Sequence, residues 1–295
     1  MKLESRVAIV TGAGGGLGRS HALLLARYGA KVVVNDMDEA AAKRVADEIA
    51  AAGGEAIPVA ASVTDEARVA AMIEGVMSTW GRVDILINNA GILRDKTFAK
   101  MSLADFRLVM DVHLMGSVIC TKAVWEIMRQ QQYGRIVMTT SSSGLYGNFG
   151  QSNYGAAKMA LVGFMQTLAL EGEKYNVRVN CLAPTAATQM THGVLAEEAL
   201  QRLDPRLVSP ALLPLVSEQA PTRAIVCAGA GHFARAHVTL TKGRYVGGSA
   251  DAGERVIELW DEIGDRTDEI VPAYGFQQAE RELASSGYSA PATKR

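Results

Sequence analysis

Six short runs in which nearly every position is apolar or β-branched alternate along the chain with longer amphipathic stretches, and this rhythm leaves few folds open. The runs are Arg6 to Thr11, Lys31 to Asp36, Glu55 to Ala60, Val83 to Asn88, Arg135 to Thr140 and Val177 to Ala183, with Ala224 to Ala228 as a seventh candidate. Near-continuous apolarity marks strands buried on both faces, the habit of parallel sheets covered by helices. The stretches between them, Leu17 to Gly29, Asp38 to Ala52, Asp65 to Trp80, Ala104 to Gln130 and Gln151 to Lys174, are rich in Ala, Leu, Glu and Arg and fit crossover helices. The expectation is an α/β fold, a doubly wound parallel sheet of about seven strands with helices on both faces.

No linker rich in Pro, Gly or Ser divides residues 1–230, which read as one domain. The rhythm breaks at Thr188, after which Leu, Glu and Pro alternate up to Pro221. Residues 188–221 therefore read as short helices above the sheet, serving as a substrate lid or forming an ordinary surface excursion. Residues 231–295 read as a C-terminal extension packed on the same domain, with a strand-like piece from His237 to Tyr245 and a helical one from Gly253 to Ile263.

Composition narrows the function. A content of 48% hydrophobic and 21% charged residues is that of a chain that folds. A net charge of -1 supplies no field for nucleic acid or an anionic membrane surface. No apolar run approaches the ~18–20 residues of a membrane span. Cys120, Cys181 and Cys227 lie far apart without C-x-x-C spacing, and His21, His192, His232 and His237 show no ligand spacing, so neither a disulfide framework nor a metal site is indicated. With no signal-peptide layout at the start, these features point to the cytoplasm.

Directly after the first strand comes Thr11-Gly12-Ala13-Gly14-Gly15-Gly16-Leu17-Gly18, which runs into a helix. Glycines let the backbone turn sharply and approach a pyrophosphate, while the free N–H groups at the helix start attract its charge. Asp36 closes the second strand, where a carboxylate accepts hydrogen bonds from an adenosine ribose and repels a 2′-phosphate. NAD is thereby favoured over NADP. Arg19, just inside the first helix, is the residue that keeps NADP open, unless it is only an exposed helix arginine. Ser62 and Val63 after the third strand, and Asn89, Ala90 and Gly91 after the fourth, complete the candidate cofactor contacts.

Ser141 follows the fifth strand, and Tyr154-Gly155-Ala156-Ala157-Lys158 opens the next helix. Tyr and Lys at i and i+4 share a helix face, so an ammonium can sit beside a phenol. A phenol with pKa ~10 is a poor base until neighbouring cations favour its phenolate. Tyr154 can then take the proton of an alcohol as hydride leaves its carbon, with Ser141 orienting the same oxygen.

These pieces together resemble the short-chain dehydrogenase/reductase family. The glycine motif of Thr11 to Gly18, Asn88-Asn89-Ala90-Gly91, Ser141 with Gly144, Tyr154-x-x-x-Lys158, and Asn180 with Pro184 stand in that family's order over roughly residues 5 to 230. The resemblance implies a Rossmann-type domain, a Ser-Tyr-Lys mechanism in which Lys158 also holds the nicotinamide ribose, a cofactor floor supported by Asn89, and contacts from Pro184 and Thr188. A closer likeness, carried by Gly91 to Phe98, Val112-His113-Leu114 and Tyr146 to Tyr154, is to the family's branch in multifunctional enzymes of peroxisomal fatty-acid oxidation, which act on (3R)-hydroxyacyl-CoA and 17β-hydroxysteroids.

Two departures stand out. His113 occupies the place where many members carry a catalytic Asn, and is either a working substitute or a buried structural histidine. Thr185 replaces the usual Gly after Pro184, and the turn before Thr188 is one residue short. The family's helices corresponding to Ala104 to Gln130 and Gln151 to Lys174 pair across a two-fold axis, which implies a homodimer or homotetramer. For the substrate, Arg94, Lys96, Arg202 and Arg206 suit an acyl-CoA, whereas Leu145, Phe149, Val194, Leu195 and Leu207 to Val216 suit the apolar slot of a steroid or other lipid-like alcohol. The rival from another class is a catalytically silent NAD-binding scaffold or redox-sensing partner protein; intact Ser141, Tyr154 and Lys158 argue for the enzyme.

Overall fold

The computed structural model describes residues 2–187 and 197–288. Eight strands form one sheet: β1 (Val7–Thr11), β2 (Lys31–Asp36), β3 (Ala56–Ala60), β4 (Ile85–Asn88), β5 (Gly134–Thr139), β6 (Val177–Thr185), β7 (Ile225–Gly229) and β8 (His232–Ala236). Their order is β3-β2-β1-β4-β5-β6-β7-β8, parallel throughout except that β8 runs antiparallel to β7. Six expected strands and the seventh candidate are present within a residue or two. The eighth adds to the expected seven through a two-residue turn at Ala230 and Gly231, both with positive φ, the geometry that suits a tight hairpin.

The helices are α1 (Gly16–Arg27), α2 (Glu39–Ala51), α3 (Glu66–Trp80), α4 (Leu103–Met110), α5 (Gly116–Gln131), α6 (Ser142–Tyr146), α7 (Ser152–Gly172), α8 (Glu197–Arg202), α9 (Leu212–Val216), α10 (Ala252–Glu258), α11 (Trp260–Ile263) and α12 (Phe276–Ser285). Asp38 and Asp65 cap α2 and α3, each accepting from a backbone N–H three residues on at 3.0 Å. One core packs α1, α2 and residues 208–216 on one face of the sheet, and the other packs α3, α5 and α7 on the opposite face.

The single long helix expected from 104 to 130 is two helices joined by a π-helical turn over Asp111–Met115. Leu103–Gln131 is long and apolar enough to cross a membrane by length and composition, contrary to the expectation that no run is. Its Val109, Val124 and Met128 are buried, the latter two in the core between helix and sheet, which accounts for part of that apolarity.

The stretch 188–221 differs from the expectation in its second half. Val208, Ala211, Leu212, Leu215 and Val216 belong to the core, and Ser209 joins Ser20 (2.7 Å) and His21 (2.8 Å) of α1. Residues 188–196, with His192, Val194 and Leu195, lie outside the described residues. The chain divides at Ala236, later than the expected 230, because β8 belongs to the sheet. The second unit, from His237, has a single β-bridge between Leu240 and Ile270 where a strand from 237 to 245 was expected, and α10 and α11 where a helix was expected. Among its described residues none is buried.

Candidate active site

In a parallel sheet every strand ends on the same edge, and the sheet order reverses between β1 and β4, where a crevice opens for a ligand. Each candidate among the described residues lies at that edge or on the helices around it. Gly12, Gly14, Gly16, Leu17 and Gly18 form the junction of β1 and α1, and Asp36 ends β2. Ser62 and the buried Val63 follow β3, with Ser62 Oγ 2.9 Å from Thr64 Oγ1. Pro184 stands near the end of β6, and Thr188 lies outside the described residues.

The glycine junction is shaped as a cradle. Gly12 has φ of +62°, and a Cβ there would sit 2.8 Å from Ala90 Cα, so the left-handed turn and the close approach to the β4 loop both require glycine. Asn89 donates from Nδ2 to the carbonyls of Thr11 (2.9 Å) and Gly12 (3.2 Å), while Thr11 Oγ1 accepts from the amides of Asn89 and Ala90. Asn89 thus ties the ends of β1 and β4 into one floor. Asp36 accepts from the amide of Gly14 (2.9 Å) and from that of Asp38 (3.1 Å), which fixes its carboxylate beside the loop. Arg19 is engaged by Glu48 of α2. A cradle kept open by missing side chains, a helix N-terminus and a fixed carboxylate fit an adenine dinucleotide.

Ser141, Tyr154 and Lys158 converge at the end of β5. Lys158 is buried and donates from Nζ to Thr139 O at 2.6 Å, and its own carbonyl accepts from Thr140 Oγ1 at 2.6 Å. Its Nζ stands 5.5 Å from the centre of the Tyr154 ring. Burial brings the Lys158 ammonium down to about 7, so it exchanges its proton near neutrality. Burial also pushes the Tyr154 phenol above its ordinary value, while hydrogen bonding with Ser141 pulls it down and the Asp95 carboxylate pushes it up. Within the free chain Tyr154 is therefore a phenol, and the phenolate expected from the Lys158 spacing requires further positive charge in the crevice.

His113 projects from the π-helical turn into this cluster. Its Nε2 lies 2.8 Å from Ile92 O and 3.1 Å from Ile92 N, and its ring meets the Tyr154 ring edge-on at 5.1 Å and 87°. Burial, reinforced by the Lys158 charge, lowers His113 to about 3, so it stays neutral. Nδ1 is buried without a partner. Two residues to which sequence reasoning gave no role, Asp95 and Gln151, meet beside Tyr154 at 2.6 Å. The only signal for them was a pair of polar side chains inside the segments of closer family likeness.

The sequence model of the short chain dehydrogenase family matches residues 6–199. The chain belongs to that family. As a short-chain dehydrogenase it is an oxidoreductase acting on CH–OH donors with a nicotinamide cofactor. It is 46% identical over 90% of its length to the peroxisomal multifunctional enzyme type 2 of Drosophila melanogaster, covering 46% of that protein. The full-length structure of the Drosophila enzyme superimposes with a TM-score of 0.82 over 97% of this chain and 50% of that one. The chain thus spans about half the length of this relative. A short-chain type dehydrogenase/reductase of Mycobacterium tuberculosis is 48% identical over 76% of this chain and 82% of its own. A 7α-hydroxysteroid dehydrogenase solved with NADH and a 7-oxo bile acid superimposes with a TM-score of 0.72 at 31% identity, over 78% of this chain and 95% of that one. The cytoplasmic location expected from cysteine usage is corrected by these comparisons: the Drosophila relative and its Saccharomyces cerevisiae counterpart are named as peroxisomal and point there. Reduced, unpaired cysteines had no power to separate the two compartments.

Proposed function

We propose that this short-chain dehydrogenase oxidises a 3-hydroxyacyl-CoA thioester to the 3-oxoacyl thioester, with NAD as acceptor. The observation that carries the reading is the convergence of Ser141, Tyr154 and Lys158 beside a dinucleotide cradle, in a chain whose relatives include two fungal enzymes named as peroxisomal hydratase-dehydrogenase-epimerases. The nicotinamide ring, when bound, supplies the hydride acceptor and a positive charge. Ser141 hydrogen-bonds the carbinol oxygen and fixes its lone pairs. Tyr154 takes the hydroxyl proton as the carbonyl forms, and Lys158, beside the phenol and close to neutrality, stabilises the phenolate and passes protons onward. His113 holds Ile92 and packs against the Tyr154 ring, so its role is to position, with Nδ1 left for a further hydrogen bond.

Asp36 supports NAD over NADP, because a 2′-phosphate would meet its carboxylate and Arg19 is already paired with Glu48. Of the cations suited to an acyl-CoA, Lys96 pairs with Asp105, Arg202 with Glu198 and Arg206 with Asp204, whereas Arg94 forms no ion pair among the described residues. Arg94 is accordingly the cation assigned to the CoA phosphates, and the exposed Tyr146 and Phe149 offer apolar surface to the acyl chain. The test is NADH formation from (3R)-3-hydroxybutyryl-CoA and from a 17β-hydroxysteroid by the same preparation. Faster turnover of the steroid, or a higher kcat/KM with NADP than with NAD, refutes the corresponding part.

A further inference from the structure

Residues 91–97 form a wall beside Tyr154 without regular secondary structure, yet they are held along their length by hydrogen bonds from other segments. His113 holds Ile92 at one end. Farther on, Asn153 Nδ2 donates to Arg94 O at 3.0 Å, Gln151 Nε2 donates to Asp95 Oδ2 at 2.6 Å, and the Lys96 amide donates to Gly150 O at 2.9 Å. Gln151 is the hub. While its amide nitrogen holds Asp95, its Oε1 accepts from Ser143 Oγ at 2.7 Å and from Asn148 Nδ2 at 3.0 Å. Ser143, in turn, donates its backbone N–H to Ser141 Oγ at 3.2 Å. One side chain therefore connects the pocket wall to the turn that carries the reacting serine.

We propose that Gln151 and Asp95 are positioning residues for the dehydrogenase reaction: their hydrogen bond locks the wall 91–97 to the Ser141 turn and fixes a negative charge beside Tyr154. The pair is charge-assisted, the stronger class of hydrogen bond, and its partners are 56 residues apart in sequence, so it fixes two elements that the backbone alone leaves independent. The charges facing Tyr154 have opposite effects. Asp95 opposes the phenolate, Lys158 on α7 favours it only in its protonated form, and the Ser141 hydrogen bond lowers the phenol, while His113 stays neutral. The inference rests on Ser141 and Tyr154 as the reacting pair, and deepens that assignment.

The test is a swap in the full chain. Gln151→Glu turns the donor facing Asp95 into an acceptor while leaving an oxygen for Ser143 and Asn148, and Gln151→Glu with Asp95→Asn restores a donor on the other side. At pH 8.5 the single substitution is expected to lower kcat/KM for (3R)-3-hydroxybutyryl-CoA about tenfold or more, with the KM for NAD unchanged, and the double substitution to recover most of it. Hydrogen exchange of residues 92–97 should rise in the single variant and fall back in the double. Asp95→Asn alone keeps an acceptor for Gln151 and removes the charge, so the acid limb of kcat moves to lower pH. If Gln151→Glu does not fold, Asp95→Ala deletes the acceptor and is expected to show the same loss in kcat/KM and the same rise in exchange. Failure of the double substitution to rescue, or a KM for NAD that rises in parallel, overturns the positioning role. Absence of NADH from the wild type overturns the hydroxyacyl-CoA reading instead, and the exchange pattern then decides the pair by itself.

Discussion

Gly91 is the position where the structure predicts most from the smallest change. A methyl group on its Cα would lie 2.9 Å from Nδ1 and 3.2 Å from Nε2 of His113, and nearer still to Cε1, where ordinary contact begins at 3.4 Å. The shortfall is 0.5 Å at Nδ1 alone, and the ring cannot recede freely. Its Nε2 is hydrogen-bonded to the backbone of Ile92, and its ring packs edge-on against that of Tyr154. Overpacking of a fixed group costs about 1–3 kcal/mol, and the same energy taken from the transition state lowers kcat/KM about 5- to 150-fold. Gly91→Ala should therefore lose stability in urea unfolding, activity in NADH formation, or a share of each within that range. Removing the obstructing ring relieves the clash, so Gly91→Ala added to His113→Ala should cost much less than Gly91→Ala alone. A Gly91→Ala protein with full activity and less than about 0.5 kcal/mol of lost stability, or strictly additive effects in the double variant, refutes the packing argument.

Tyr154→Phe deletes the proton acceptor and leaves the cradle intact, so kcat should fall about 100- to 10,000-fold while NADH affinity, read by fluorescence titration, stays within about twofold. Asp36→Ala should weaken NAD and improve NADP relative to it, checked by the ratio of the two kcat/KM values; an unchanged ratio counts against Asp36 as the discriminator. His21 is fully buried on α1 and burial lowers it to about 3 from 6.5. Between those values the unfolded imidazole binds a proton that the folded one refuses, so stability rises with pH across the window and is lost as pH falls through it. His21→Leu should flatten the pH dependence of unfolding by about 1.4 kcal/mol per pH unit between pH 6 and 4, and parallel curves would dismiss the assignment. Finally, Leu103, Met115, Met159 and Leu170 leave large apolar side chains exposed on α4, α7 and the turn between α4 and α5, which supports a homodimer or homotetramer; a monomeric mass in light scattering at micromolar concentration would contradict it.

Most of the sheet was legible because the central parallel strands β1, β2, β4, β5 and β6 are buried on both faces and so read as nearly unbroken apolar runs. β8 was not, for the opposite reason: His232, Phe233, Ala234 and Arg235 are all exposed at the sheet edge, and no burial pattern announces them. The stretch after Thr188 misled through its prolines. Pro205 and Pro210 break the helical rhythm of the sequence, but each sits in the first turn of a short 3-10 helix, a position that needs no amide hydrogen, and Leu212 and Leu215 beyond them fill the core. The π-helical turn was invisible because one added residue in a helix leaves an apolar pattern nearly periodic, while it redirects the side chain that matters, His113.

The site divides along the same line. Motifs within a few residues of one another, the glycine loop and the Tyr154-Lys158 spacing, were readable because helix and turn geometry fix their relations locally. Partnerships between distant segments were not. Nothing in the identity of Asp95 or Gln151 says that they meet, nor that the histidine in the place of the family's asparagine turns its Nε2 to Ile92 and keeps Nδ1 unpaired. These contacts set how closely the wall, the serine turn and the tyrosine are held relative to one another. A displacement of about 1 Å there is enough to cost about a hundredfold in rate. The chemistry of the reaction class is thus written in local motifs, and the precision with which this chain performs it resides in tertiary hydrogen bonds.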